Sequence, residues 1–334
     1  MNPSVKKYDF ADCAKGIAIL AIVLYHLVFF RLDVPEIVKT ASSFGGAGVK
    51  IFLVASGFGL YYSHLNRPLG YGAFLKRRFL KIYLPYIAIV LISFATGIMY
   101  TGEDSLQALL SHVFLYKMFI PAYEASFGEQ FWYISTLFQL YLIFHLLVWI
   151  KNKLGSRKFF LLACGVSLLW TVFTVAAGLA EERIWNSFCL QVLWEVALGM
   201  CMAERFRRGR DGVECCRMRC LIPVTAVSLG LFAVSGLWGG PILKAFNDVF
   251  STLAFGGVCI LLYKWRLLRP LWRWINSFSY EWYLTHFLVM TVLYRLIPSP
   301  HLNFLVGILV LTVGVGISLG ISRLLPRFYR KVGL

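Results

Sequence analysis

Two histidines within apolar segments are the residues whose type and spacing best suit chemistry. At about 1.5 Å per residue, His26 lies roughly 16 Å along a helix from Lys15. His286 lies roughly 14 Å into a later apolar segment, close to the depth of His26. An imidazole, with an ordinary pKa near 6.5, suits a general base that activates a hydroxyl. The alternative is that each histidine only hydrogen-bonds a neighbouring helix.

A carboxylate and a set of cations accompany these histidines. Glu195 follows Trp194 within an apolar run, where it must be neutral, paired or in contact with water. We expect it halfway through the apolar layer, lining a cavity shared with the two histidines and paired with one of them or with a buried Arg or Lys. Arg77, Arg78 and Lys81 begin another apolar segment, with Arg78 and Lys81 one helical turn apart. These cations could bind phosphates or could only mark membrane topology.

The composition indicates the element that must position these residues, which is a membrane-spanning helix. Of the 334 residues, 59% are hydrophobic, 16% are aromatic and only 15% are charged. A soluble domain has about 25% charged residues, so a polytopic membrane protein is expected. The net charge of +17 does not indicate nucleic-acid binding, because the basic residues form short clusters between apolar runs.

Ten stretches approach the roughly 20 apolar residues that a membrane span needs. We interpret all ten as helices of a single all-α transmembrane domain over residues 1–334. A cleaved signal peptide is not indicated, because no small-residue cleavage site follows the first stretch. The predicted spans are 14–30, 45–63, 82–100, 131–150, 159–180, 187–203, 220–238, 245–263, 277–297 and 302–322.

The distribution of positive charge predicts the orientation of these spans. Most of the 33 Lys and Arg residues fall at the two ends of the chain and in alternate connections. Cytoplasmic loops carry such an excess, so both termini are expected in the cytoplasm of a multi-pass protein of the plasma or inner membrane. The remaining loops hold few cations, namely Arg31, Lys39, Lys117, Arg183, Lys244 and Arg295.

The outer loop before the fourth span contains apolar residues at helical spacing, which predicts a short interfacial helix over about 106–114. The histidines outside the proposed site, His64, His112, His145 and His301, are expected near span ends or in loops. Cys215, Cys216 and Cys220 share one basic loop, but three thiols without a fourth ligand favour reduced cytoplasmic cysteines over a metal site.

Five motifs in order along the chain resemble the membrane-bound acyltransferase 3 family. They are Asp12-x-x-Lys15-Gly16-Ile17-Ala18-Ile19 with His26; Gly48-Val49 through Phe52 to Ser56-Gly57-Phe58; Arg77-Arg78-Phe79-Leu80-Lys81 with Pro85; Trp132 with Tyr141; and Ser279-Tyr280 with Tyr283-Leu284-x-His286. Lys15 and Lys81 stand where the family commonly has Arg, and Leu137 lies where many members carry Glu. A lysine keeps the charge but lacks the bidentate fork of arginine.

The resemblance implies an O-acyltransferase that moves an acyl group, usually acetyl, from cytoplasmic acyl-coenzyme A to a hydroxyl of a cell-surface or lipid-linked glycan. His26 would be the general base, and His286 would orient it or hydrogen-bond the thioester carbonyl. No permanently bound cofactor or metal is implied. The residues implied to bind the coenzyme are Arg77, Arg78, Lys81, Lys15 and Ser56.

Two other classes of function are compatible with the residues alone. A transporter or flippase of a lipid-linked sugar would also carry His and Glu within a helical bundle, and it would move substrate without coenzyme A. A non-catalytic scaffold would use the same side chains as interhelical hydrogen bonds. In a scaffold, substitution of His26 would change stability more than any activity.

Overall fold

A computed structural model describes residues 8–209, 213, 216–297 and 303–331. Arg210, Cys215 and His301 lie outside the described residues. The described residues form helices and no strands, which confirms the all-α prediction. Its α-helices are α1 Asp9–Phe30, α2 Glu36–Ser43, α3 Gly48–Asn66, α4 Tyr71–Thr96, α5 Ser105–Val113, α6 Trp132–Ala176, α7 Arg183–Asn186, α8 Leu193–Arg207, α9 Met218–Leu237, α10 Gly240–Ala245, α11 Asn247–Lys264, α12 Arg269–Asn276, α13 Ser279–Leu296 and α14 Asn303–Lys331.

Fewer helices qualify as membrane spans than the sequence predicts. Among the described residues, 6 helical stretches are long and apolar enough, or up to 7 if the bent pair α11 and α12 forms one span. The predicted count of ten is therefore not confirmed. Two of the predicted spans do not qualify. The helix of the sixth predicted span, α8, has only 15 residues, and the helix of the ninth, α13, contains the charged residues Glu281 and Arg295.

The helix α6 covers both the fourth and the fifth predicted spans and reverses at Gly155. Gly155 has φ 73° and ψ 163°, a conformation that is open to glycine but interrupts a helix. The hydroxyls of Thr136 and Ser167, one on each side of Gly155, donate to the backbone oxygens of Ser187 and Leu190. The two legs of α6 therefore run side by side as a hairpin.

Small residues let α3 and α8 approach each other closely. A Cβ atom at Gly57 would overlap the backbone of Val196, and one at Gly199 would overlap the backbone of Val54. Lys50 near the start of α3 contacts Glu195 at the start of α8, and Tyr62 near the end of α3 contacts Phe206 near the end of α8, so the two helices run parallel. Small residues at such a contact let helices approach closely within a membrane.

The segment between α4 and α6 consists of short helices. The predicted short helix is present as α5, and three 3-10 turns follow it, Lys117–Phe119, Pro121–Tyr123 and Glu129–Phe131. His112 lies in this connecting segment, as expected, and it is fully buried. Its Nδ1 lies 2.8 Å from the Tyr86 hydroxyl and its Nε2 lies 3.0 Å from Ser126 Oγ, which satisfies both ring nitrogens.

Candidate functional site

The two predicted histidines are in direct contact across α1 and α13. His26 Nδ1 lies 2.9 Å from His286 Nε2, and the two ring planes are tilted by only 15°. α1 packs against α3, α11, α12 and α13, which places His26 within the bundle. His286 is 1% exposed, whereas His26 retains partial exposure. The pair is therefore buried on one side and accessible on the other.

Backbone carbonyl groups determine which nitrogens carry protons. His286 Nδ1 faces the backbone oxygens of Tyr283 at 2.8 Å and Trp282 at 3.1 Å. Oxygen can only accept, so His286 Nδ1 must donate, and in a neutral ring His286 Nε2 is then the acceptor. His26 must therefore donate from Nδ1. This leaves the unprotonated nitrogen of His26 at Nε2.

The free lone pair at His26 Nε2 is what general-base chemistry requires. No hydrogen bond from the part of the chain that the structure describes reaches His26 Nε2. When Nε2 takes a proton, Nδ1 still donates to His286, so the charged ring keeps its partner. His286 uses both nitrogens in these contacts and has no N–H left for a thioester carbonyl. Of its two expected roles, the geometry favours orientation of His26.

Aromatic rings and hydroxyls surround the histidine pair. The rings of Tyr25 and Phe287 each lie 4.7 Å from the ring of His26, centroid to centroid. Ser56 connects to the pair through two tyrosines: its Oγ lies 3.3 Å from the Tyr133 hydroxyl, and the Tyr133 ring lies 5.7 Å from that of Tyr283. Ser56 is thus linked to the histidine region.

The predicted cations form a separate cluster of Lys15 on α1 with Arg77, Arg78 and Lys81 on α4. Lys81 lies within electrostatic range of Lys15, Arg77 and Arg78. Lys15 pairs with Asp12 at 3.3 Å, and Asp12 also accepts a hydrogen bond of 3.0 Å from Asn276, which fixes α1 against the α12–α13 junction. Arg78 Nε is buried and has no hydrogen-bond partner among the described residues. Such an excess of like charge favours binding of an anion.

Glu195 does not join the histidine pair. It lies in the first turn of α8, and its expected depth halfway through the membrane stays a prediction. Its Oε1 lies 3.5 Å from Lys50 Nζ and accepts a hydrogen bond of 3.2 Å from Thr252. Lys50 also pairs with Asp248 at 2.6 Å. Of the partners expected for Glu195, the structure thus provides a lysine and not a histidine.

Sequence reasoning missed Lys50 and Asp248, the partners of Glu195. Each is a charged residue inside an otherwise apolar run, which is the signal that could have identified them. The sequence contains no information on which helices meet, so it could not pair them. No group of three potential metal ligands occurs among the residues whose placement is described.

Comparison with known proteins assigns the chain. A family model described as an acyltransferase domain, that of the acyltransferase 3 family, matches residues 8–324, which is nearly the whole chain. No curated protein and no solved structure matches it. The match extends over both histidine-bearing helices and the cationic cluster. The chain therefore belongs to the acyltransferase 3 family, and it is a membrane acyltransferase that transfers groups other than amino-acyl groups.

Proposed function

We propose that this enzyme transfers an acyl group, most simply acetyl, from cytoplasmic acyl-coenzyme A to a sugar hydroxyl of a cell-surface or lipid-linked glycan. The observation that carries the proposal is the histidine pair, whose backbone contacts leave His26 Nε2 unprotonated and accessible. A hydroxyl is a weak nucleophile and needs a base of this kind.

The proposed reaction uses His26 twice. Nε2 accepts the hydroxyl proton while the sugar oxygen forms a bond to the thioester carbonyl carbon. The carbon–sulfur bond then breaks, and the coenzyme thiolate takes the proton back from Nε2. Protons and electrons balance without a metal or a redox cofactor. His286 holds the His26 ring in the required tautomer throughout.

The cationic cluster supports a binding site for the coenzyme phosphates. The cluster has four cations, Arg77, Arg78, Lys81 and Lys15, against two nearby carboxylates, Asp12 and Glu281. Lys15 and His26 belong to the same helix and are separated by roughly 16 Å along its axis. The extended arm of the coenzyme would cover this distance and bring the thioester to His26, passing the hydroxyls of Ser56 and Tyr133.

We further propose that the chain crosses the plasma or inner membrane about ten times with both termini in the cytoplasm. The alternation of basic and cation-poor connections supports this arrangement. The hairpin of α6 supports counting its two legs separately.

Replacement of each histidine tests the proposed function. Purified protein is incubated with radiolabelled acetyl-CoA and a panel of glycans. His26→Ala should lower kcat by roughly 10²–10⁴-fold, the usual contribution of a general base, while membrane insertion and acetyl-CoA binding persist. His286→Ala should cause a smaller loss, because an orienting partner leaves residual turnover.

A histidine outside the site provides the control. His64 lies on α3 beside Tyr61 and His145, with no contact to the pair. His64→Ala should retain parental turnover. A correctly inserted His26→Ala protein with parental kcat would refute the mechanism.

A further inference from the structure

The backbone around Glu129 is held from both sides by buried side chains. Lys117 Nζ donates to the backbone oxygen of Gly128 at 3.3 Å, and the Tyr283 hydroxyl donates to the backbone oxygen of Gln130. Lys117 is 0% exposed and Tyr283 is 6% exposed. Tyr283 lies one turn from His286 on α13. The position of Glu129 is thereby fixed relative to the histidine pair.

The segment that leads to Glu129 also carries backbone strain. Phe127 has φ 53° and Leu115 has φ 62°, in the left-handed region that residues other than glycine rarely adopt. Phe127 is 1% exposed, so packing maintains its conformation. Strain of this kind persists where surrounding contacts over-determine the backbone, and it clusters at ligand-binding sites.

The Glu129 side chain is accessible, whereas Lys117 and Tyr283, which hold the backbone on either side of it, are buried. Its side chain is 41% exposed, and Oε1 lies 3.8 Å from Arg183 Nη2. Arg183 is shared with Glu124, whose Oε1 lies 3.4 Å from Nε, and its guanidinium lies 5.2 Å from the Trp132 ring centroid. Two carboxylates share one guanidinium, so Glu129 retains acceptor capacity for a further ligand.

This charged group borders the accessible side of the histidine pair. Both Glu129 and Arg183 lie within electrostatic range of the Tyr25 hydroxyl. The Tyr25 ring in turn lies 4.7 Å from the ring of His26. A hydroxylated molecule that contacts Glu129 and Tyr25 would therefore reach the neighbourhood of His26 Nε2.

We propose that Glu129, with Trp132 and Arg183 beside it, is the acceptor subsite and selects a neutral, polyhydroxylated sugar ring. The inference rests on the proposed function, since it supplies the acceptor for the base His26. A carboxylate with free lone pairs accepts hydrogen bonds from two neighbouring hydroxyls. The indole of Trp132 offers apolar surface to the ring. Among the accessible groups two carboxylates face one guanidinium, while Lys117 is buried, and this balance disfavours an anionic acceptor.

Acceptor kinetics of three Glu129 variants and a control test this assignment. Acetyl transfer from radiolabelled acetyl-CoA is measured with methyl glucoside as the neutral acceptor and methyl glucuronide as the anionic one. Glu129→Gln and Glu129→Ala should raise the KM for methyl glucoside about tenfold or more, because they remove a charged hydrogen-bond acceptor. The KM for acetyl-CoA should not change. Glu129→Asp should restore part of the loss.

The matched control is Glu181→Gln. Glu181 is also an outer glutamate, 70% exposed and 3.7 Å from Lys244, but it has no contact with the Arg183 group. The Glu181→Gln variant should keep the parental KM for methyl glucoside and for acetyl-CoA. Glu129→Gln should also lower the preference for the glucoside over the glucuronide, since it removes a repelling charge. A loss of folding alone would not change this ratio.

The outcomes separate the two levels of the proposal. If the parent acetylates the glucoside and Glu129→Gln keeps the same acceptor KM and the same preference, the subsite assignment is overturned and the proposed function stands. If the parent transfers acetyl to neither glycoside although it binds acetyl-CoA, the assignment of a neutral sugar ring is overturned. If the parent neither binds nor consumes acetyl-CoA, the proposed function is overturned as well.

Discussion

Lys117 is a lysine without exposure to solvent, and its surroundings determine how its charge affects stability. Burial lowers the pKa of its ammonium group to about 7; Glu124 and Glu129 oppose this shift, and Arg183 adds to it. Between pH 7 and the ordinary lysine pKa, the unfolded chain therefore binds more protons than the folded chain. Stability should rise with pH through this window, and the destabilisation by the buried ammonium is complete below pH 7.

The Lys117→Met variant tests whether the buried ammonium group destabilises the protein at low pH. The variant should gain thermal stability relative to the parent at pH 6, and this gain should be smaller at pH 9, where the parent's amine is neutral. Loss of the hydrogen bond to Gly128 affects the variant at both pH values and cancels in the comparison. Unfolding temperatures of the purified proteins at both pH values give the result. Lys244→Met, at a side chain that is 52% exposed, is the control. An identical difference between variant and parent at pH 6 and pH 9 would contradict the interpretation.

Sequence information was sufficient to identify the two histidines but not their protonation pattern. Their equal depth follows from helix geometry, which a linear sequence encodes. The assignment of His26 Nε2 as the base depends on the carbonyl groups of Trp282 and Tyr283. Which nitrogen faces a carbonyl depends on a rotamer and on the contact between α1 and α13, and neither can be inferred from residue order.

At the scale of elements, three helices are joined by one buried charged group. Lys50 of α3 lies between Glu195 of α8 and Asp248 of α11. Both carboxylates are in the first turns of their helices, where the helix dipole stabilises negative charge. Glu195 is 0% exposed, and its Oε2 has no hydrogen-bond partner among the described residues. The lysine is thus the main compensation for two carboxylates.

Removing Lys50 should therefore cost more than removing one carboxylate. Lys50→Met should lower the free energy of unfolding by about 3–5 kcal/mol, the usual loss when a buried ion pair is broken from one side. Glu195→Gln should cost much less, because Lys50 and Asp248 remain paired. Denaturant unfolding of both variants in detergent gives the comparison. Equal losses of unfolding free energy in the two variants would contradict the view that Lys50 compensates both Glu195 and Asp248.

The sixth predicted span shows why element boundaries could not be inferred from hydropathy. Residues 187–192 are apolar enough to suggest helix, yet α8 begins only at Leu193. Side chains of α6 satisfy the backbone of this stretch: Thr136 donates to the Ser187 oxygen, and the Gln139 side chain accepts from the Cys189 amide. Irregular backbone is tolerated at membrane depth when the surrounding protein supplies its hydrogen bonds. Those partners come from elsewhere in the chain.

At the scale of the whole molecule, the arrangement of charge predicts from which side the donor binds. Most Lys and Arg residues occupy alternate connections, and the cationic cluster of Arg77, Arg78, Lys81 and Lys15 lies next to one of them. Glu129 lies in the connection between α4 and α6, which has few cations. This connection follows the C-terminal end of α4, whereas the cationic cluster lies near its N-terminal end. Donor and acceptor are thus expected to approach His26 from opposite faces of the membrane.

Sealed vesicles of opposite orientation test this expectation. Acyl-coenzyme A does not cross a bilayer, so externally added radiolabelled acetyl-CoA should be consumed by inverted vesicles, which expose the cytoplasmic face, and not by right-side-out vesicles. Permeabilising both preparations with detergent should make their rates equal. Arg78→Ala should raise the KM for acetyl-CoA in inverted vesicles, because it removes a cation from the proposed phosphate site. Equal consumption by the two sealed preparations would place the donor site on the other face and overturn the proposed orientation.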